Sequence, residues 1–337
     1  MTTVLLTGAS GFTGRAVHRL LRDQRVELRL LTHRRPPVAD PAARLVHADL
    51  ARRGTLRGVC DGVDTLLHLA CTVDEDDPRA CGLVNDRGTA ALVAEARRAG
   101  VRRIVHLSTA AVYGDGPHRG AVEGGLVPAP VSAVSRSRLA GERAVRAAGG
   151  VVLRPMFVYG PGDRWLVPRL VRTLTALPVS VDGGRALLSL VAVEDLAAAI
   201  AALAVADWGP VPGGEVHHVG HPEPVAVRDL TAALTEHLGV PAPAADLTYD
   251  EARELLAGRP RDLRHLALFG QDHHYDSGRV WRRTGHTPGA FATRFAAAAP
   301  WYRAHLAPLT HLTPLTPLTP LAPPAAATAG PTEDGTP

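Results

Sequence analysis

Through the first half of the chain, short apolar runs alternate with longer stretches whose apolar residues recur every three or four positions. The short runs predict strands at residues 3–6, 27–32, 44–47, 65–69, 103–107 and 151–153. The longer stretches predict helices over 14–21, 79–99 and 132–148. Strand and helix alternating in this way build a parallel sheet covered on both faces. The expected fold class is therefore α/β, a Rossmann-type doubly wound parallel sheet.

From about residue 159 the rhythm changes. Pro and Gly interrupt more often, and helices are predicted over 167–176, 193–205, 227–238 and 249–257. This second part reads as a smaller mixed C-terminal lobe. The division expected is an NAD(P)-binding domain at 1–160, to which 185–206 returns, and a mainly substrate-binding lobe at 161–305. The segment 306–337 carries proline at every third residue through LTPLTPLTP, which forbids a regular helix, and is expected to be a disordered tail.

Composition narrows the function classes. With 46% hydrophobic and 21% charged residues the chain is globular, and the formal charge of +4 is spread over scattered arginines. Without a dense basic stripe and interleaved aromatics, a nucleic-acid partner is not expected. Cys60, Cys71 and Cys81 make no CxxC pair, and reduced thiols in a cytoplasm account for them. The start MTTVLLTGAS lacks the basic and apolar regions of a signal peptide, and no apolar run is long enough to span a membrane. His265, His273 and His274 show no metal-ligand spacing, so no metal is expected.

The sharpest motif is Gly8-Ala9-Ser10-Gly11-Phe12-Thr13-Gly14, a GxxGxxG run between the first strand and the first helix. Gly8 suits the tight turn, Gly11 lets the backbone approach a pyrophosphate, and Gly14 lets helix and strand pack closely. The helix N-terminus then offers free N–H groups to the anion. At the end of the second strand, where an acidic residue would bond the ribose of NAD, the chain has His33, Arg34 and Arg35. Arginine pairs with a 2′-phosphate, so NADPH is expected over NADH. Asp49 and Leu50 are expected over the adenine.

These segments resemble the extended short-chain dehydrogenase/reductase family, the NAD-dependent epimerase/dehydratase-like proteins. The matching segments are TGASGFTG, HADL, LLHLA with Asn85 in the helix after it, HLSTAAVYG, LRPMFVYGPGD and SLVAVEDLA. The resemblance covers roughly residues 3 to 300 and implies the Rossmann domain and the substrate lobe. It also places Leu69, Ala70, Cys71 and Pro155 against the dinucleotide. It assigns Thr109, with Ser108 as second candidate, a hydrogen bond to the substrate carbonyl. The family's YxxxK pair falls on Val134 and Arg138, and residues 115–158 hold no tyrosine to replace it. Arg138 retains donors for the ribose hydroxyls but does not deprotonate, and Val134 has no proton to give.

The chemistry that survives is hydride transfer with another proton source. Tyr113, Tyr159, His118 and Ser108 are candidate side chains, Tyr159 because its VYGPG turn lies near the nicotinamide in the family; water and the substrate itself are the others. His118, in a Gly/Pro-rich stretch, reads as a surface histidine, and Asp163 and Arg164 as loop residues at the cleft entrance. A ketone with a hydrogen-bonded phenol carries its own acid, the layout of aromatic polyketides. The missing pair also makes the chain similar to the atypical ketoreductases of angucycline antibiotic pathways. The expected activity is thus an NADPH-dependent ketoreductase acting on a polycyclic aromatic ketone. The alternatives are a nucleotide-sugar epimerase/dehydratase-like enzyme with altered chemistry, or a non-catalytic NADP-binding sensor or scaffold. Met156, Phe157, Trp165, Leu166, Trp208 and Trp281 are candidates for the substrate lobe, and the chain is expected as a monomer or homodimer.

Overall fold

The computed structural model describes residues 1–33, 40–176, 178–206 and 214–306. Arg34, Arg35, Trp208 and the tail after Leu306 lie outside the described residues.

Seven parallel strands form the central sheet. They are β1 (Thr2–Thr7), β2 (Val26–Thr32), β3 (Arg44–His47), β4 (Thr65–His68), β5 (Arg103–Leu107), β6 (Val151–Pro155) and β7 (Glu215–Val219). Their order is β7-β6-β5-β4-β1-β2-β3. It reverses direction between β1 and β4, so the ends of these strands open the crevice where doubly wound sheets bind ligands. Side chains alternate across β1: Val4 and Leu6 enter one core, Leu5 the other.

The first core takes Val17 and Leu21 from α1 (Phe12–Arg22). It also takes Leu196, Ile200 and Leu203 from a later helix, Val193–Val205, which packs along α1. Trp281 belongs here too, its indole N–H donating to the Gly220 carbonyl at 2.9 Å, so it is a core residue and not part of a substrate wall. The second core takes Leu92, Val93 and Ala96 from α2 (78–98) and Val145 from α3 (Ala133–Ala147). The helix predicted over 79–99 is a composite rod, α2: Pro78–Cys81, a π-helical stretch Gly82–Gly88, and Thr89–Arg98. At Gly88 a Cβ would stand 2.7 Å from the Leu50 carbonyl oxygen, so this rod lies tight against the end of the third βα unit.

The lobe has its own core, built on α4 (Leu166–Ala176), helix Val227–Leu238 and α5 (Phe291–Leu306). The sequence pattern did not announce α5, and Leu306, expected in the tail, is its buried last residue. A four-stranded mixed sheet, Val225–Ala226, Leu187–Leu188, His273–Tyr275 and His118–Ala121, sits beside it. His118 is thus not a surface histidine: it is buried in a strand, bonded to the Tyr275 hydroxyl at 2.8 Å. Among the described residues no helix is long and apolar enough to cross a membrane.

Candidate active site

The glycine loop joins β1 to α1. Gly8 has φ +77°, and a Cβ there would meet the Ala70 backbone nitrogen at 2.7 Å. At Gly14 a Cβ would stand 2.0 Å from the Gly8 carbonyl oxygen. The three glycines therefore let the loop, the end of β4 and the start of α1 close on one another. Gly11 caps α1 without a side-chain acceptor, and no acidic residue lies in the first turn around Phe12 and Thr13. These N–H groups and the positive end of the helix are left for an anion, which is what a pyrophosphate needs.

The end of β4 is tied to this loop. Thr7 Oγ1 accepts from Leu69 N at 3.2 Å and Ala70 N at 3.1 Å, and bonds His68 Nδ1 at 2.8 Å. With its oxygen engaged by two amides, the Thr7 hydroxyl donates to Nδ1, and His68 Nε2 then donates to Thr89 Oγ1 at 2.9 Å. Burial drives the His68 pKa down to about 4, consistent with a neutral ring. Cys71 is exposed just beyond. Asn85, in the π-helical stretch, holds the next residue by both edges: its Oδ1 accepts from Thr72 N and its Nδ2 donates to Thr72 O, each at 2.9 Å. Ser10 lies in the loop itself, its carbonyl 3.4 Å from Arg15 Nη1.

At the end of β2, His33 Nε2 lies 3.3 Å from the Asp49 carboxylate, which also accepts from Ala51 N at 2.9 Å. Leu50, next to it, is buried.

Beyond β5 the residues at the two hydroxyl positions separate. Ser108 is 1% exposed and donates to Glu142, so it does not face a substrate. Thr109 is half-buried; its Oγ1 accepts from Ala111 N at 3.2 Å, which leaves its proton available. On α3, Val134 and Arg138 are half-buried, one turn apart. Arg138 donates from Nη2 to the Leu107 and Ser108 carbonyls, at 2.7 and 2.8 Å, while its buried Nε has no partner. An unpaired buried donor at this place, together with the glycine cradle, fits a dinucleotide whose ribose and pyrophosphate would be held by Arg138 and by α1.

Below this surface lies a network that sequence reasoning missed. Arg154 on β6 and Glu142 on α3 form a bidentate ion pair with side chains 5% and 1% exposed. Burial opposes the charge on Arg154, but the bonds and charge of Glu142 outweigh it and hold the guanidinium more firmly protonated than usual. Arg154 Nη1 donates to the Tyr113 hydroxyl at 2.7 Å, and that hydroxyl meets His218 Nε2 at 2.7 Å. Tyr113 is buried, and burial raises its pKa. Tyr159 is 1% exposed, bonded to His221 at 2.9 Å, with its pKa raised by burial. Neither phenol reaches the cleft. Asp163, expected at the cleft entrance, is also buried: it accepts from the backbone N–H of Trp165, Leu166 and Val167 and from the Tyr302 hydroxyl, capping α4. Phe157 and Leu166 are lobe core, Met156 is half-buried beside it, Pro155 ends β6, and Trp165 is exposed.

Comparison with known proteins agrees with this fold. Residues 4–216 match the model of the NAD dependent epimerase/dehydratase family. The chain belongs to that family, the extended short-chain dehydrogenases, and with it to the nicotinamide-dependent oxidoreductases. It is 31% identical over 269 residues to a 4-hydroxy-2-methyl-3-oxo-4-farnesyl-3,4-dihydroquinoline-1-oxide ketoreductase of Stigmatella aurantiaca, covering 74% of this chain and 77% of that one. It is 32% identical over 207 residues to a ceramide reductase of Caulobacter vibrioides, covering 59% and 60%. Among solved structures it is similar to dTDP-glucose 4,6-dehydratase DesIV of Streptomyces venezuelae, with a TM-score of 0.70 at 25% identity over 91% of this chain and 98% of that one. It shares the fold of the Bordetella bronchiseptica enzyme WbmH, with a TM-score of 0.71 at 20% identity over 90% and 98%.

Proposed function

We propose that the chain is an NADPH-dependent ketoreductase that reduces a carbonyl of a polycyclic aromatic substrate and takes the proton from a phenol of that substrate. The observation that carries this reading is the removal of protein donors. Val134 stands where the family has tyrosine, and Ser108, Tyr113 and Tyr159 are buried on other partners. A bound reduced nicotinamide supplies the hydride. Thr109 donates its free proton to hold the carbonyl oxygen, and Arg138 steadies the ribose. The carbonyl oxygen then takes the neighbouring phenol's proton, and the phenolate regains one from water. A general acid contributes about a hundredfold or more, so a substrate that carries its own makes the tyrosine dispensable.

The Stigmatella relative supports reduction of a ring carbonyl: its named substrate is a dihydroquinoline with a 3-oxo group, whose neighbouring 4-hydroxy group sits on the saturated carbon that carries the farnesyl and is a tertiary alcohol, not a phenol. The preference for NADPH rests on His33, Arg34 and Arg35, with no carboxylate in that run. We place the protein in the cytoplasm, as a monomer or homodimer with no nucleic-acid or membrane partner.

One observation favours a second reading. Burial and then the charges of Arg169, Arg264 and Arg172 lower the pKa of His265, against Asp262, and Arg264 pairs with Glu75 of the loop beyond β4 at 2.9 Å. A basic wall there suits an anionic substrate, such as a nucleotide sugar. Following reduced-nicotinamide absorbance with a panel of ketones separates the two. Turnover only of quinone-type ketones that carry the phenol is expected. Turnover of plain ketones would move the proton source to water or the protein, and NADPH binding with no ketone turned over would refute the reductase.

A further inference from the structure

A cavity of about 620 Å³ opens between α1, the loop 160–165 and α5, lined on α1 by Arg15 and Arg19 and not by the residues of the glycine loop. Arg15 and Arg19, one turn apart on α1, face it, with Arg164 from the loop and His305 and Trp301 from α5. Among the described residues, no carboxylate pairs with Arg15, Arg19 or Arg164. The one carboxylate of the lining, Asp163, is spent on three backbone amides and the Tyr302 hydroxyl. The cationic side is therefore uncompensated from within.

The aromatic wall is fixed. Trp301 stacks on His305 with ring centroids 4.1 Å apart and 17° between planes, and His305 Nδ1 donates to the Trp301 carbonyl at 2.8 Å. Guanidinium groups match phosphate oxygens in pairs and in plane, which surface lysines do not. The volume lies in the range of small-molecule pockets.

We infer that this cavity binds a small soluble phosphate ester or diphosphate, held by Arg15, Arg19 and Arg164 with its organic part against Trp301. The same chemistry exists on an anionic lipid headgroup, and Trp165, 56% exposed next to Arg164, makes that source worth separating.

The test titrates the full chain, with dinucleotide in excess, with inorganic pyrophosphate, by calorimetry and tryptophan fluorescence. The proteins compared are wild type, R19Q/R164Q and R19K/R164K. Arg19 and Arg164 are exposed, so matching thermal melts should verify that the variants fold. Saturable binding is expected in wild type. It should weaken about tenfold or more in R19Q/R164Q, since a hydrogen bond to a charged group is worth about that factor, and weaken less in R19K/R164K, which keeps the charge and loses the paired planar donors. Any pyrophosphate taken up at the start of α1 would be the same in all three proteins, so their difference reads the cavity. No saturable binding, or equal affinity in R19Q/R164Q, would overturn the inference. Cosedimentation with phosphatidylglycerol vesicles without binding of pyrophosphate would overturn the soluble ligand in favour of a headgroup.

Discussion

Replacing Glu142 with alanine should be among the most damaging single changes that leave the cofactor loop untouched. Glu142 and Arg154 have side chains 1% and 5% exposed, so almost no water is present to screen or solvate the guanidinium once its partner is gone. Breaking a buried pair by removing one partner costs about 3–5 kcal/mol. Ser108 loses its acceptor as well, roughly another 1 kcal/mol. Set against a total stability of about 5–15 kcal/mol, that is a large share. At about 2–4 °C per kcal/mol, the melting temperature should fall by about 10 °C or more. Circular dichroism melts and urea titrations measure it. The cycle is completed with E142L/R154M, which removes both charges and should recover at least half of the loss. A cost for E142A below about 1 kcal/mol, or a double variant no more stable than the single, would refute the claim that Glu142 is what keeps Arg154 tolerable in the core.

Four shorter predictions test the other parts. G14A brings a Cβ to 2.0 Å from the Gly8 carbonyl oxygen, so α1 must move off the loop; dinucleotide affinity by calorimetry should drop about tenfold or more. V134Y/R138K reinstates the family's pair on α3, and turnover of ketones that lack a phenol should appear; no gain would mean that the donor is not what limits them. D163A strips the cap of α4 and the Tyr302 hydroxyl of their acceptor and should cost roughly 2–4 kcal/mol in urea melts; an unchanged midpoint would count against the cap. Among the described residues, eight histidines have pKa values lowered by burial, His68 to about 4. The unfolded chain protonates them near pH 6.5, before the folded protein does, so stability is full above that pH and drains away toward pH 4, by roughly 3 kcal/mol for His68 alone. A melting temperature flat from pH 7.5 to about 5 would refute this.

The strands of the first half were legible because each is a short apolar run before a turn, and β3 and β5 fall at the predicted residues. The glycine cradle was legible because its spacing is dictated by backbone approach. The helices predicted at 167–176, 227–238 and 249–257 fall at Leu166–Ala176, Val227–Leu238 and Tyr249–Leu255, whereas α5 was missed because it is alanine-rich with Pro300 inside, which blurs its periodicity. Burial of polar groups was read least well. In sequence His118 reads as a surface residue, Asp163 as one at the cleft entrance and Ser108 as a substrate contact, and only the partners brought by distant segments, Tyr275, Tyr302 and Glu142, take them inside. A signal did exist for the ion pair. Arg154 sits in VVLRP, a strand buried at every position, and a lone arginine there demands a buried acid. Glu142 lies one turn beyond Arg138 on the same helix face.

The same network explains how the family's tyrosine can be absent without the fold noticing. The position of α3 does not depend on residue 134. Its start is held by the reciprocal bonds of Ser132 and Ser135, at 3.0 and 3.1 Å. Its middle is pressed on α2 at Gly141, where a Cβ would lie 2.3 Å from the Asn85 carbonyl oxygen. Its far half is fixed to β6 by Glu142 and Arg154. A substitution at 134 therefore changes the supply of a proton and leaves the hydride side of the site where it was. Under the mechanism we propose, the pH dependence of turnover should follow the ionisation of the substrate's phenol, shifting when that phenol is replaced by one of different acidity, and should not follow any side chain of α3.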